Sequence, residues 1–192
     1  MAAITISRQM GSLGRDVANA VAARLGYRMV WRDIINQAAQ QAGAPEVALA
    51  TIDELGLLGL RPSVGARRAY HDAVRRVIWA LADEGSVVIV GRAGQVILRD
   101  RRDVLHVKVI APVQLRVERV ARDQRISLDA ARAQVEASDR ARRSYLRRYY
   151  HARWDDPELY DVIINTAYLH PDAASSVICE ALPHVLRAKQ EQ

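Results

Sequence analysis

The 192-residue chain has one cysteine, two lysines and no apolar run that reaches the roughly 18 residues needed to cross a bilayer. Cys179 alone cannot close an internal disulfide. The amino-terminal residues lack the basic stretch, apolar core and small-residue cleavage site of a secretory signal. These absences lead to the expectation of a soluble protein in a reducing, cytoplasmic setting with no membrane partner. His71, His106, His151, His170 and His184 are scattered, without metal-ligand pairing or a serine-elbow context, so zinc and triad-hydrolase chemistry have no support. No G-x-G-x-x-G dinucleotide fingerprint is present, and oxidoreduction loses its usual signature. No repeat, low-complexity tract or linker divides the sequence, and its length suits one domain over 1–192 with a substantial core.

What the chain does have is arginine. Its formal charge is +6, 26 of its 28 basic residues are arginine, and 14 of these fall between Arg99 and Arg153. A basic balance suggests polyanionic partners such as nucleotides, nucleic acid or anionic lipid. The arginine total fits a GC-rich coding bias. The clustering asks for a function, because the planar guanidinium grips phosphate in a bidentate way that lysine's point charge does not.

Periodicity supplies the architecture. Ala3–Ile6 is a short β-branched run followed by the polar, glycine-containing Ser7–Gly14, a strand and a loop. Val17, Val21 and Leu25 then recur at four-residue spacing, and Gly26 stands where a helix ends. Trp31–Ala42 reads as a second helix, and Gly43–Gly65, with Pro45, Pro62 and several glycines, as a mobile excursion. Between Ala66 and Glu84, Tyr70, Val74, Val77, Ile78 and Leu81 line one helical face. Ser86–Val90, Val104–Ile110 and Asp161–Asn165 are short apolar runs of the kind buried on both faces of a parallel sheet. Pro112 starts one helix, and another runs from about Asp172 to Lys189. Strands alternating with helices predict a doubly wound α/β parallel sheet flanked by helices.

The segment ITISRQMGSLGRDVA carries the most chemistry. Glycines let backbone N–H groups turn onto a phosphate, and the following helix aims its positive end at the same anion. Against the pattern G-x-x-x-x-G-K-[ST], Gly14 fills the second glycine position, while Gln9, Arg15 and Asp16 replace the first glycine, the lysine and the hydroxyl residue. A cation at a helix start is unfavourable by about 0.3–1 kcal/mol unless an anion compensates it. On spacing alone, a phosphate loop and a plain glycine turn are equally good readings.

The wider context separates them. ITISRQMGSLGRDVANAVAARLG resembles the opening of the cytidylate kinase-like family, with its strand, SR-x-x-GSGGR and helix ending in LG; Leu13 stands where that family usually has glycine. VVIVGRAGQVIL, Val87–Leu98, resembles the family's strand, GR and short helix, with Ala93 where cytidylate kinases carry an acid. LHVKVIAP, QLRVERVARDQRIS, SDRARRSYLRRYYHARW and DDPELYDVIINTAYL follow in the family's order. The resemblance implies a P-loop nucleoside monophosphate kinase fold with an arginine-rich helical lid over 123–156. It also implies transfer of the ATP γ-phosphoryl group, with Mg²⁺, to a nucleoside monophosphate, CMP or dCMP first.

Residue by residue, the resemblance puts Gly11, Ser12, Leu13, Gly14, Arg15 and Asp16 around the donor phosphates, with Asp16 on the metal. Gly91 and Arg92 face the acceptor phosphate; the competing reading of Arg92 is a surface arginine after a buried strand. In the family pattern D-x-x-R-x-x-Y, matched by Asp139, Arg142 and Tyr145, Asp139 falls on the acceptor side and Arg142 neutralises charge in transfer; Arg142, Tyr145 and Tyr149 share one helical face, which lines a nucleotide cleft or, the better reading for the tyrosines, packs the helix on its neighbour. Asp33 faces the acceptor base or caps a helix. Asn165 and Thr166 lie by the donor adenine on family position alone. Arg116, Arg119 and Arg122 flank the donor or form a solvated face. The chain is expected to act on small nucleotides as a monomer or homodimer. Three alternatives stand beside this reading: a non-catalytic nucleotide-binding module, a kinase of another small molecule, and a nucleic-acid binder using Arg140–Trp154 as a stacking surface.

Overall fold

The computed structural model describes residues 2–31, positions 33, 34, 37, 38, 41 and 43, and residues 63–191. Of the helix expected over Trp31–Ala42, Trp31 is a bend and not helical, Asp33, Ile34, Gln37, Ala38 and Gln41 are helical, and the other positions lie outside the described residues. The excursion expected over Gly43–Gly65 lies outside the described residues except at Gly43 and 63–65.

Five strands form one parallel sheet: β1 (Ala3–Arg8), β2 (Arg28–Val30), β3 (Val87–Val90), β4 (Val104–Ile110) and β5 (Val162–Asn165), in the order β2-β3-β1-β4-β5. Among the described residues, the unbroken helices are α1 (Gly14–Leu25), α2 (Val64–Glu84), the single turn α3 (Gly94–Ile97), α4 (Val113–Gln124), α5 (Leu128–Tyr150) and α6 (Pro171–Glu191). Strand β2 is too short, and opens with an arginine, to register as an apolar run in the sequence; its pairing with β3 holds it.

Apolar residues fill both faces, as a buried parallel sheet requires. Ile4, Ile6, Val88, Val90, Leu105 and Val107 pack beneath Val17 and Val21 of α1 and Ile178 and Leu182 of α6. Val87, Ile89 and Val104 face Tyr70, Val74 and Ile78 of α2 together with Tyr145, Leu146 and Trp154. A smaller cluster joins Val117, Val120 and Ala121 of α4 to Ala131 and Val135 of α5. Helix α5 therefore belongs to two neighbourhoods. Its first half packs on α4, and its second half is built into the main core.

The second face also carries four polar residues, and each has a partner. Thr5 and His106, side by side in β1 and β4, bond at 2.7 Å between Oγ1 and Nδ1. Trp154 donates its indole N–H to Ser7 Oγ at 2.9 Å. Lys108, in register with Ser7, donates to the Trp154 carbonyl at 2.8 Å and to Asp155 at 3.2 Å. Burial pushes the Lys108 ammonium below its ordinary value, against the pull of Asp155. These bonds bolt the chain beyond α5 to the carboxyl ends of β1 and β4, the edge where parallel sheets form their ligand crevices.

Candidate active site

Strand β1 ends at Arg8 and α1 begins at Gly14, so five residues must reverse the backbone. Gly11 does so at φ 76°, where a Cβ would come within 2.6 Å of the Arg116 carbonyl oxygen. Leu13, in the family's glycine position, takes the same left-handed region at φ 57° and ψ 18°. That conformation costs a residue with a Cβ roughly 1–2 kcal/mol. The leucine thus keeps the glycine shape under strain.

The loop is held from one side. Arg116 donates to the carbonyls of Met10 at 3.3 Å and Ala111 at 3.1 Å, and Arg119 to that of Gly11 at 3.3 Å. Thr166 Oγ1 donates to the Ser12 carbonyl at 2.9 Å. The Gln9 side chain accepts from the Ala111 amide at 3.0 Å, and Ser12 Oγ donates to the Gln9 carbonyl at 2.9 Å. In a trans peptide the carbonyl and the next N–H point in opposite directions. Tying down the carbonyls of Met10, Gly11 and Ser12 turns the following amides the other way, although the Ser12 N–H bends back to Gln9 at 3.3 Å.

Over this loop lies an open cleft of about 800 Å³, walled by Gly11, Leu13, Gly14, Arg15 and Asp16 on one side and by Asp123, Ser138 and Arg142 on the other. Beside it, at the end of β3, is a tight cavity of about 20 Å³, lined by Arg8, Gly91, Arg92, Ala93, Gln95 and Arg142 among others. Gly91, Arg92 and Ala93 all have positive φ, at 81°, 55° and 57°. Such runs persist only where the surroundings enforce them, and they cluster at functional sites. Gln95 is buried and donates to the Tyr160 hydroxyl at 3.3 Å. That hydroxyl in turn donates to the Trp154 carbonyl at 2.9 Å, and burial pushes it up to about 12.

The residues singled out in the sequence fall into two groups. Gly11, Leu13, Gly14, Arg15, Asp16, Gly91, Arg92 and Arg142 line the two cavities. Ser12 and Thr166 are buried beneath the loop, where their bonds shape it. Asn165 is exposed and its side chain accepts from the Ala167 amide at 3.0 Å. Asp33 is exposed and helical.

Asp139 is placed differently from the expectation of an acceptor contact. It is buried in a bidentate pair with Arg116, at 3.2 and 2.9 Å, so its carboxylate is occupied inside the protein. Arg116 and Arg119 likewise spend their donors on the loop and on Thr166, and only Arg122 of that trio is exposed. Of the aromatic residues along Arg140–Trp154, Tyr145 and Trp154 are buried, which removes two of the faces on which a single-stranded nucleic acid would stack, while Tyr149 and Tyr150 are half-buried.

Sequence reasoning gave no role to Arg8 or Trp31. Arg8 and Arg15 each lie with the guanidinium carbon 5.3 Å from the Trp31 ring centroid. Two cations at one indole, beside a glycine loop, are a recognisable signal only once the folded neighbours are known.

A parallel sheet whose central strand opens into a glycine loop and helix, with arginine-bearing helices over the same edge, is the α/β fold of the P-loop kinases. The chain belongs to the cytidylate kinase-like family, whose model matches residues 3–168. It is 27% identical over 184 residues to the cytidylate kinase of Thermococcus kodakarensis, covering 95% of this chain and 88% of that protein. Among solved structures it resembles an uncharacterized protein of Eubacterium ventriosum, with TM-score 0.76, 19% identity, and 95% and 99% of the two chains covered. It also resembles a gluconokinase of Sinorhizobium meliloti, with TM-score 0.54, 18% identity, and 99% and 94% covered. Among the described residues, no helix is long and apolar enough to cross a membrane.

Proposed function

We propose that this chain transfers the γ-phosphoryl group of ATP to a small anionic acceptor, a nucleoside monophosphate with CMP or dCMP the first to test. The observation that carries the reading is the pair of adjoining cavities, one over a glycine loop and one lined by arginines at the end of β3. Family membership and the likeness to the cytidylate kinase of Thermococcus kodakarensis support this choice of acceptor class.

In this reading the donor phosphates rest on the Gly11–Gly14 amides and Arg15, where the start of α1 favours an anion. Arg92 holds the acceptor phosphate. Arg142, on the wall common to both cavities, offsets charge as the phosphoryl group passes. Asp16 and Asp123 are carboxylates on the cleft wall. One or two carboxylates, completed by water and substrate phosphates, suit Mg²⁺. When bound, the ion would neutralise phosphate charge. An acceptor phosphate attacks without needing a general base from the protein. The whole chain serves as one domain, with a lid over 123–156; since Tyr145, Leu146 and Trp154 lie in the main core, any closure is confined to the part of that lid before Tyr145.

Ala93 favours a second reading, a kinase of another small molecule. It puts a buried methyl where cytidylate kinases carry an acid. One assay separates the readings: ADP release from ATP and Mg²⁺ with a panel of monophosphates and small hydroxy acids, comparing the parent with Arg15→Ala. Turnover with CMP that falls by about 10²–10³ in the variant supports the proposal. ATP binding without turnover on any acceptor refutes it in favour of a non-catalytic nucleotide-binding module.

A further inference from the structure

Arg8 closes β1 at the point where the strand becomes the loop. Among the described residues, Arg8 and Arg142 are the two that line both the large cleft and the small arginine-lined cavity. Three features hold the Arg8 side chain in that place. Its stem crosses Gly14, where a Cβ would come within 2.4 Å of Arg8 Cβ and 2.9 Å of Cγ. Its head lies against Gly91, where a Cβ would meet Nη1 at 2.6 Å. Its guanidinium carbon sits 5.3 Å from the Trp31 ring centroid.

Gly14 and Gly91 belong to different loops, after β1 and after β3, and the absence of a side chain at each leaves room for the same arginine. Trp31 attracts Arg8 and Arg15 to one ring. Both arginines line the cleft above the loop, and phosphate oxygens match the guanidinium fork.

We propose that Arg8 is a substrate-contacting residue that spans the two sites, its guanidinium bridging the donor γ-phosphate and the anionic group of the acceptor. This inference rests on the kinase reading above. In the transfer, an oxygen of the acceptor phosphate bonds to Pγ, the bond from Pγ to the β,γ-bridging oxygen breaks, and its electron pair leaves with ADP. ATP⁴⁻ and CMP²⁻ become ADP³⁻ and CDP³⁻, and no proton moves. Arg8 forms no covalent bond. It grips the group in transit from the strand side, while Arg142 reaches it from α5. The first ligand fixes the orientation of the guanidinium fork, so the second meets a side chain already ordered and binds more tightly.

The test is calorimetric titration of the full chain with AMP-PNP and Mg²⁺, alone and with saturating CMP, and in parallel with inorganic phosphate as the minimal acceptor anion. The parent, Arg8→Lys and Arg8→Met are compared, with melting temperatures and kcat measured alongside. In the parent, the acceptor anion tightens AMP-PNP by about tenfold or more. In Arg8→Lys, which keeps the charge and loses the fork, that coupling falls to about threefold or less. AMP-PNP alone still binds, the melting temperature holds, and kcat drops by about 10²-fold. Parent-like coupling and kcat in Arg8→Lys overturn the proposal. So does equal loss of AMP-PNP binding and stability in both variants, which makes Arg8 a strut. A parent that binds AMP-PNP without coupling sinks this inference and leaves the kinase reading standing. A parent that binds no AMP-PNP sinks both.

Discussion

Replacing Asp139 by alanine tests whether this carboxylate is a strut or a substrate ligand. The Asp139 and Arg116 side chains are only 9% and 5% exposed, and they meet through two bonds of 3.2 and 2.9 Å. Removing one partner of a buried pair costs about 3–5 kcal/mol, because the other charge stays behind. Arg116 keeps its bonds to the carbonyls of Met10 and Ala111, which places the cost at the low end, about 3 kcal/mol. For a chain of this size each kcal/mol moves the melting temperature by about 2–4 °C, so Asp139→Ala should lower it by about 6–12 °C. Urea unfolding and calorimetry give the two numbers independently. AMP-PNP affinity should fall with stability, since Arg116 holds the loop at Met10. Adding Arg116→Met should recover part of the loss by removing the stranded charge. If instead Asp139→Ala stays within about 1 kcal/mol of the parent and only the KM for the acceptor rises, the buried-pair argument is wrong and Asp139 contacts substrate.

Other perturbations follow from the same geometry. Gly14→Ala puts a Cβ against the stem of Arg8, which cannot swing away as a side-chain tip would, so stability should fall by about 1–3 kcal/mol and AMP-PNP binding with it; parent-like melting would show that the approach is loose. Leu13→Gly trades relief of about 1–2 kcal/mol of left-handed strain against glycine's entropy and a lost half-buried side chain, so urea unfolding should place it within about 1 kcal/mol of the parent. A loss well beyond that would mean the leucine side chain, not the backbone shape, is what matters. Burial raises the Tyr160 hydroxyl from 10.0 to about 12. Between those values the unfolded chain ionises it and the folded chain does not. Its contribution is therefore whole below pH 10 and lost as pH rises through 12, on the order of 2–3 kcal/mol. Lys108, pushed down by burial, works in the opposite sense, so the readout is the difference between parent and Tyr160→Phe, which should flatten the alkaline fall.

Four of the five strands were legible, because runs such as Val87–Val90 are apolar throughout and suit a strand covered on both faces, whereas β2 was not. Helix α1 was legible because Val17, Val21 and Gly26 mark its face and its end. The left-handed residues at Leu13, Arg92 and Ala93 were not, since nothing in a leucine, arginine or alanine announces positive φ. Nor could spacing show that Asp139 and Arg116, 23 residues apart, would neutralise each other inside the protein. Nor could it show that Thr166, expected beside the donor adenine, fastens the loop at the Ser12 carbonyl. Arg8 hid in plain view. An arginine at a strand end looks solvated until two glycines from different loops are seen to make room for it.

The bond from Thr166 to the Ser12 carbonyl joins residues 154 positions apart. The loop is synthesised before β3, β4 and β5, and its fastening after them. A nascent chain therefore carries a glycine loop that cannot take its final shape until β5 has been made and paired with β4. Contacts of such long range form late in folding. The loop therefore takes its final shape only once β5 is in place, and a truncation anywhere between β4 and Thr166 leaves it unfastened however much of the sheet survives.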